Sequence, residues 1–360
     1  MIGRRRSARV ECPICLHRLD WARARVVALD DAGEATPFLP RPGESESARR
    51  MRLTAAYRVC TGDGTTHYLP YDYGEYDDRI VVGVIGASAA GKSHLLAAMI
   101  GRLLAGSAQL KRLGLRVDPL DLRVHNQYMR DVVQPFMAGR ELRPTPREQI
   151  EFTDAFRVTN DLTGRRCALT FFDVAGEVLE DVDPGVSFIG AVNALLFVID
   201  PEAVPRLVRP DAAATRDNAF DVSLGKLQRI RNPRHRPFLP IPSASVVVKA
   251  DRLRFRSELV RRWLDHDGDE EFDLSTLEAE SRDVYAYLSA RGATGWLAPA
   301  EQCLDSTLHF ASATGTQAED GRFPALTFRQ RRVLKPLLAL LAMKGVAGHA
   351  EAGVDGGRDD

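Results

Sequence analysis

Gly86-Ala87-Ser88-Ala89-Ala90-Gly91-Lys92-Ser93 is the stretch best equipped for chemistry in this chain. It matches G-x-x-x-x-G-K-S, in which small residues let successive backbone N–H groups wrap an anion. Lys92 would then reach the β- and γ-phosphates of a nucleotide, and Ser93 would coordinate Mg²⁺. An apolar run, Ile80 to Ile85, precedes the loop, and a helical pattern opening with His94 follows it. That strand–loop–helix context adds a helix N-terminus to the anion site. The plainer alternative is a glycine-punctuated turn bearing a surface lysine.

Three further segments carry polar residues at the ends of apolar runs. Ala168 to Phe172 leads into Asp173-Val174-Ala175-Gly176-Glu177. An acid there can hold Mg²⁺, usually through a water, and Gly176 leaves room for its N–H to meet a γ-phosphate. Val246-Val247-Val248 leads into Lys249-Ala250-Asp251. This carboxylate could accept from the N1 and N2 donors of guanine while the lysine stem covers the base. Ala311-Ser312-Ala313-Thr314-Gly315 follows a weaker strand, Leu308 to Ala311, and could offer a backbone N–H to guanine O6. K-x-D and S-A-x-G are common on surfaces, so their order and their positions after strands give them weight.

A separate chemistry lies near the N-terminus. Cys12 and Cys15 form C-P-x-C, and Cys60 with His67 could complete a tetrahedral zinc site. The Cys60-x6-His67 spacing is long, and His17 competes as fourth ligand. No thioredoxin-type helix follows the pair, which disfavours redox use. An odd count of five cysteines is no disulfide framework. Cys167 reads as core and Cys303 as a helix-flanking residue. His94, His125, His235, His266 and His309 have no ligand spacing and read as structural or exposed.

These groups need a scaffold, and 360 residues with 44% apolar content can bury a large core. The 49 basic and 49 acidic side chains cancel, which argues against a dedicated nucleic-acid binder. No apolar run approaches the roughly 18 residues of a membrane span, and no signal core follows Arg4, Arg5 and Arg6, so a cytoplasmic protein is expected. Residues 1–79 show little helical periodicity and read as a small zinc-ribbon-like module needing a metal staple. Residues 80–345 alternate apolar runs with amphipathic ones, the mark of an α/β layer structure. Ile80–Ile85, Ala168–Phe172, Ala194–Ile199 and Ser245–Val248 read as buried parallel strands, and Phe156–Thr159 with Cys167–Phe172 as an antiparallel hairpin at a sheet edge. Leu95, Leu96, Met99, Ile100, Leu103 and Leu104 share one helical face. Leu334, Leu337, Leu338 and Leu341 share another, which tolerates Pro336 only in its first turn. The basic segment Pro201 to Pro242 reads as a helix-loop insertion, and residues 346–360 as a frayed tail.

Taken together, the four segments resemble the TRAFAC class of P-loop GTPases, Ras-like in their core, over roughly residues 80 to 345. The resemblance implies a three-layer P-loop NTPase sandwich with a mostly parallel sheet. It assigns Gly86 to Ser93 to phosphate with His94 next to them in the nucleotide site, Ser93 and Asp173 to Mg²⁺, Gly176 to the γ-phosphate, Lys249 and Asp251 to guanine, and Ser312 and Ala313 to the last base loop. D-V-A-G-E, K-A-D and the terminal R-V-L-K-P-L-L helix are further similar to the prokaryotic double-GTPase branch. Its members come from bacterial conflict-type gene clusters and often carry an N-terminal zinc ribbon.

The implied activity is Mg²⁺-dependent hydrolysis of GTP to GDP by a cytoplasmic switch, with a protein partner or effector, including a second GTPase. Departures from the family pattern are equally specific. Val248 replaces an Asn or Thr that ties base loop to phosphate loop, which leaves an ATPase of another P-loop class as an alternative. Glu177 stands where a water-orienting Gln is usual, and a carboxylate beside a γ-phosphate is repelled, so a weakly hydrolysing scaffold is the other alternative. Thr145 is the expected switch threonine and second Mg²⁺ hydroxyl, with Thr153 as fallback. Arg143 or Arg147 could serve as an arginine finger in cis, against the plainer reading of a solvated basic loop.

Overall fold

The computed structural model describes residues 9–30, 32–143, 150–175, 191–204, 207, 218–231, 236–266 and 273–347. Seven strands make the main sheet: β7 (Asp78–Gly86), β8 (Leu115–Pro119), β9 (Ile150–Asn160), β10 (Arg166–Ala175), β11 (Ala194–Ile199), β12 (Ser243–Val247) and β13 (Ser306–Phe310). Six earlier strands, β1 (Arg9–Glu11), β2 (Arg18–Asp20), β3 (Val26–Leu29), β4 (Ala35–Pro37), β5 (Tyr57–Cys60) and β6 (His67–Pro70), build the N-terminal part.

The main sheet runs β13-β12-β11-β7-β10-β9-β8. Neighbours from β13 to β10 are parallel, and β9 and β8 are added antiparallel. Continuous apolar runs suit strands covered on both faces, and side chains do divide with period two. Ile80, Val82, Val84, Leu196 and Val198 pack beneath helices Lys92–Leu104 and Lys335–Met343, through Leu95, Met99, Leu337 and Leu341. Val81, Ile85, Leu195, Phe197 and Ile199 face the other way, against Phe220 and Leu224 of helix Asn218–Arg231 and Val284 and Leu288 of helix Leu274–Ala290. Pro336 occupies the first turn of its helix, where a missing N–H costs nothing. Among the described residues no helix is long and apolar enough to cross a membrane.

Several expectations need correction. The β9–β10 hairpin is not at the edge: β8, absent from the sequence reading, pairs outside β9. The hairpin's first strand begins at Ile150, not Phe156, because polar Thr153 and Asp154 are buried within it. The N-terminal part contains a helix, Glu46–Thr54, capped by the Ser45 hydroxyl. None of its residues is buried, so it has no apolar stripe to read.

The N-terminal strands form a β1–β2 hairpin and a β4-β3-β5-β6 sheet. They pack on the main sheet, since Val10, Leu19, Trp21, Leu69 and Tyr73 cluster with Ala155 of β9 and Ala168 of β10. Polar ties reinforce this contact: Asp121 caps helix Leu122–Tyr128 and also accepts from the Tyr68 N–H at 3.0 Å. Within the basic segment 201–242, helix Asn218–Arg231 is the long element described. Residues 348–360 of the expected tail lie outside the described residues.

Candidate functional site

The loop after β7 turns back over the sheet and enters helix Lys92–Leu104. Two glycines are needed for this. A Cβ on Gly86 would stand 2.7 Å from the Val198 carbonyl oxygen of β11, and Gly91 caps the helix at φ +96°. Lys92 is buried, and its ammonium donates to the carbonyls of Gly86 at 3.0 Å and Ala87 at 3.1 Å. Asp173 reaches the same place from β10: its Oδ1 lies 3.9 Å from Lys92 Nζ, and its Oδ2 accepts from Ser93 Oγ at 3.0 Å. Parallel pairing of β10 with β7, with Ala175 opposite Gly86, makes this meeting inevitable.

Burial pushes the Asp173 carboxyl above its usual range, with Lys92 and Ser93 pulling the other way. Its Oδ1 is buried without a hydrogen-bond partner. An anionic oxygen left so is costly, and a cation beside it removes the cost.

A cavity of about 760 Å³ opens in front of this loop. Its lining includes Ser88 to His94, Asp173, Val248, Lys249, Asp251 and Ala313. Segments separated by more than two hundred residues thus share one chamber. Gly86 and Ala87 lie behind the lining and contribute their carbonyls to Lys92. Ser312 is fully buried and also stands behind the wall: its hydroxyl donates to Asp251 Oδ1 at 2.5 Å and accepts from the Gly315 N–H. Its hydroxyl therefore holds Asp251 in place.

Lys249 adopts φ +49° and is gripped by Asp200 at 2.6 Å, with Glu202 at 3.6 Å and the Ala89 carbonyl at 3.4 Å. The bond to Ala89 ties the 249–251 loop to the glycine loop, and it is a different bond from the one that the Val248 side chain is unable to make. Asp200 was not singled out from sequence, although it carries the same signature as Asp173, an acid ending an apolar strand. His94 accepts from the Leu142 N–H at 3.3 Å through Nε2, with its ring edge-on to Phe136 and Phe323. Burial, then the charge of Lys249, pushes its pKa down to about 4, so the ring is a neutral acceptor. Glu141, Leu142, Thr316, Gln317 and Phe323 complete the far wall, which no motif announced. Thr145, Gly176 and Glu177 lie outside the described residues, as does Arg147. Thr153 is buried in β9 and does not line the cavity.

The second constellation is closed. Cys12, Cys15, Cys60 and His67 bring one ligand atom each within 4.8 Å of one another. Cys12 and Cys15 flank the β1–β2 turn, where Leu16 at φ +62° folds its N–H back to the Cys12 carbonyl. Cys60 and His67 are direct partners in the β5–β6 hairpin, so the long spacing is simply the hairpin's loop. Cys15 and Cys60 sulfurs are 3.6 Å apart, and Cys12 Sγ is 3.9 Å from His67 Nδ1. Zinc–thiolate bonds of about 2.3 Å give a tetrahedral edge of about 3.8 Å, so these separations fit the ion. The other ring nitrogen of His67 meets Thr65 Oγ1 at 2.7 Å, which fixes the ring as a second shell does in metal sites. Hydrogen bonds from Cys12 and Cys15 push Cys60 down to about 3, while Cys12 is pushed up by its contacts with Cys15 and Cys60 and by burial. One thiolate shares protons with its neighbours, and a cation can replace those protons. The cluster can therefore hold a metal such as zinc. His17 is exposed and outside it.

No protein-family model matches this chain, and no curated protein matches it in sequence.

Proposed function

We propose that the chain is a Mg²⁺-dependent GTPase of P-loop type, switching between GTP and GDP states, with a structural zinc in its N-terminal module. One observation carries the reading: Lys92, Asp173, Asp251 and the Ala313 loop converge on a single cavity of about 760 Å³. Each group has the chemistry its part requires. Backbone amides at a helix N-terminus favour the triphosphate, with Lys92 able to exchange its carbonyl partners for phosphate oxygens. Ser93 and the Asp173 oxygen that lacks a hydrogen bond suit a magnesium ion, which would polarise the γ-phosphate and screen its charge. Asp251, braced by Ser312, suits the paired donors of guanine, and the Lys249 stem, fixed by Asp200, suits the face of the base.

Base competition on the purified full-length chain tests the reading. Binding of GTP with Mg²⁺ is expected to exceed that of ATP, and Asp251→Asn should move preference toward xanthine nucleotides. Equal affinity for ATP and GTP would remove the guanine assignment. Absence of any triphosphate binding would remove the nucleotide assignment altogether.

A further inference from the structure

β8 is the outermost strand of the main sheet, and among the described residues no strand pairs with its far side. Its ladder with β9 is regular, from Leu115 opposite Asn160 to Pro119 opposite Phe156. At its two ends, Asp161 N–H donates to Gly114 O at 2.7 Å and Leu120 N–H to Ala155 O at 2.9 Å. Antiparallel bonds recur at every second residue, so Arg116 and Asp118 also spend their main-chain groups on β9. The N–H and C=O of Leu115 and Val117, and the carbonyl of Pro119, therefore point outward. Such an edge is a template for another strand.

The side chains select which strand. Arg116 and Asp118 share one face of the sheet, where Arg116 contacts Asp161 at 3.3 Å and Asp118 contacts Arg157 at 3.2 Å. Charges on an edge usually repel a second copy of the same edge. Here the signs alternate about Val117, which reverses the effect in one register. With a twofold axis at Val117, Arg116 faces Asp118 of a second copy, and Asp118 faces Arg116 of that copy. Moving the axis by one residue sets Arg116 against Arg116, or Asp118 against Asp118, and like charges directly opposite are destabilising. The centred register also suits the backbone. Val117 exchanges both of its outward bonds with Val117 of the second copy, and Leu115 N–H reaches the Pro119 carbonyl there. The missing N–H of Pro119 falls at the end of the ladder, where it stops the pairing.

We propose that β8 is a docking edge for a second copy of this chain, which joins the two main sheets antiparallel in an isologous dimer. Across the junction, Asp161 and Arg116 of one copy continue into Asp118 and Arg157 of the other as a row of alternating charge. Exposed leucines flank the edge. Leu162, 54% exposed, lies at Gly114, where a Cβ would stand 2.6 Å from its Cγ, and Leu122, 47% exposed, follows just after Leu120. Antiparallel pairing brings the Gly114 end of each copy to the Leu120 end of the other, so the two leucine-bearing ends come together. A strand of 5 residues makes a small interface, so association is of about micromolar strength. Pairing needs no nucleotide, and a chain that binds no GTP pairs equally well.

Sedimentation velocity on the full-length protein, from about 1 to about 100 µM, tests the pairing. The wild type is expected to pass from monomer to dimer across that range. Arg116→Asp and Asp118→Arg each set like charges face to face, and each should weaken self-association by at least about tenfold. The contacts these variants lose within the chain are solvent-accessible and contribute little to folding, which circular dichroism checks. Mixed in equal amounts, the two single variants regain opposite charges at both positions, so a fluorescently tagged Arg116→Asp chain should pair with Asp118→Arg. The double variant, which exchanges the two charges, should recover self-association. A wild type that stays monomeric at about 100 µM would overturn the proposal. So would single variants that dimerise as tightly as the wild type, or a mixture and a double variant that stay apart.

Discussion

Ser312 holds Asp251 through a 2.5 Å hydrogen bond across sixty-one residues of sequence, and the same hydroxyl receives the Gly315 N–H. Asp251 would otherwise be a nearly buried carboxylate with its rotamer unset. Ser312→Ala removes the donor and strands the Gly315 amide, each a loss of about 1–3 kcal/mol when buried. GTP affinity is expected to fall about tenfold to a hundredfold, with ATP affinity nearly unchanged. Isothermal titration with both nucleotides decides it, and parallel loss for both would mean that Ser312 supports the fold rather than the base.

The cysteine–histidine cluster predicts metal content and a metal-dependent module. Elemental analysis should return about one zinc per chain, and Cys60→Ser or His67→Ala should lose it. A strong chelator should lower the melting temperature, because thiolate repulsion replaces metal bonds in a part with little core of its own. Trp21 packs on Tyr73 beside the cluster, so its emission should shift to the red on chelation. Trp21→Phe should erase the shift and keep the drop in melting temperature.

Where local pattern carried the information, the sequence was readable. The strands flanking the cavity announce themselves because they are covered on both faces, and the glycine loop because its steric demands admit few residue types. The second knuckle of the cysteine cluster was readable only in part: its spacing looked too long until β5 and β6 paired Cys60 with His67. Helix Glu46–Thr54 left no periodic trace because it buries nothing. Asp200, His94 as an acceptor and the Thr316–Phe323 wall depend on contacts between distant segments, which no local spacing encodes. His125 and His309 read as structural or exposed, and each is buried with its ring Nδ1 hydrogen-bonded to a carboxylate, of Asp154 and Glu280, a partner that spacing did not announce.

The pair Glu280–His309 is completed by Arg332, and all three are buried. Glu280 also accepts from the Phe310 N–H at 3.1 Å, two residues before Ser312, so this group fixes the strand that delivers Ser312. Arg332→Met leaves the carboxylate short of charge and should destabilise the protein by about 3–5 kcal/mol. Burial alone would raise the Glu280 pKa, but His309 and Arg332 outweigh it and hold it low. A depressed carboxyl stabilises above the unfolded carboxyl's pKa, and that contribution is lost as pH falls through the folded value. Urea unfolding across pH should therefore show Arg332→Met losing stability at a higher pH than the wild type.

His94 makes the opposite kind of titration, and it reports on the clamp that the ring makes on the Leu142 N–H. Half-buried and neutral, with its pKa pushed from 6.5 down to about 4, it resists the proton that the unfolded chain accepts. Its contribution is complete above pH 6.5 and declines as the medium is acidified toward pH 4, below which no more is lost. A shift of this size corresponds to at most about 3 kcal/mol. His94→Gln keeps an acceptor for Leu142 but cannot titrate, so its stability should be flatter between those limits. Protonation would also replace the acceptor lone pair with a donor facing the Leu142 N–H. Superimposable pH profiles of stability for the two proteins would show that the ring stays in contact with solvent protons, and that the clamp carries no such penalty.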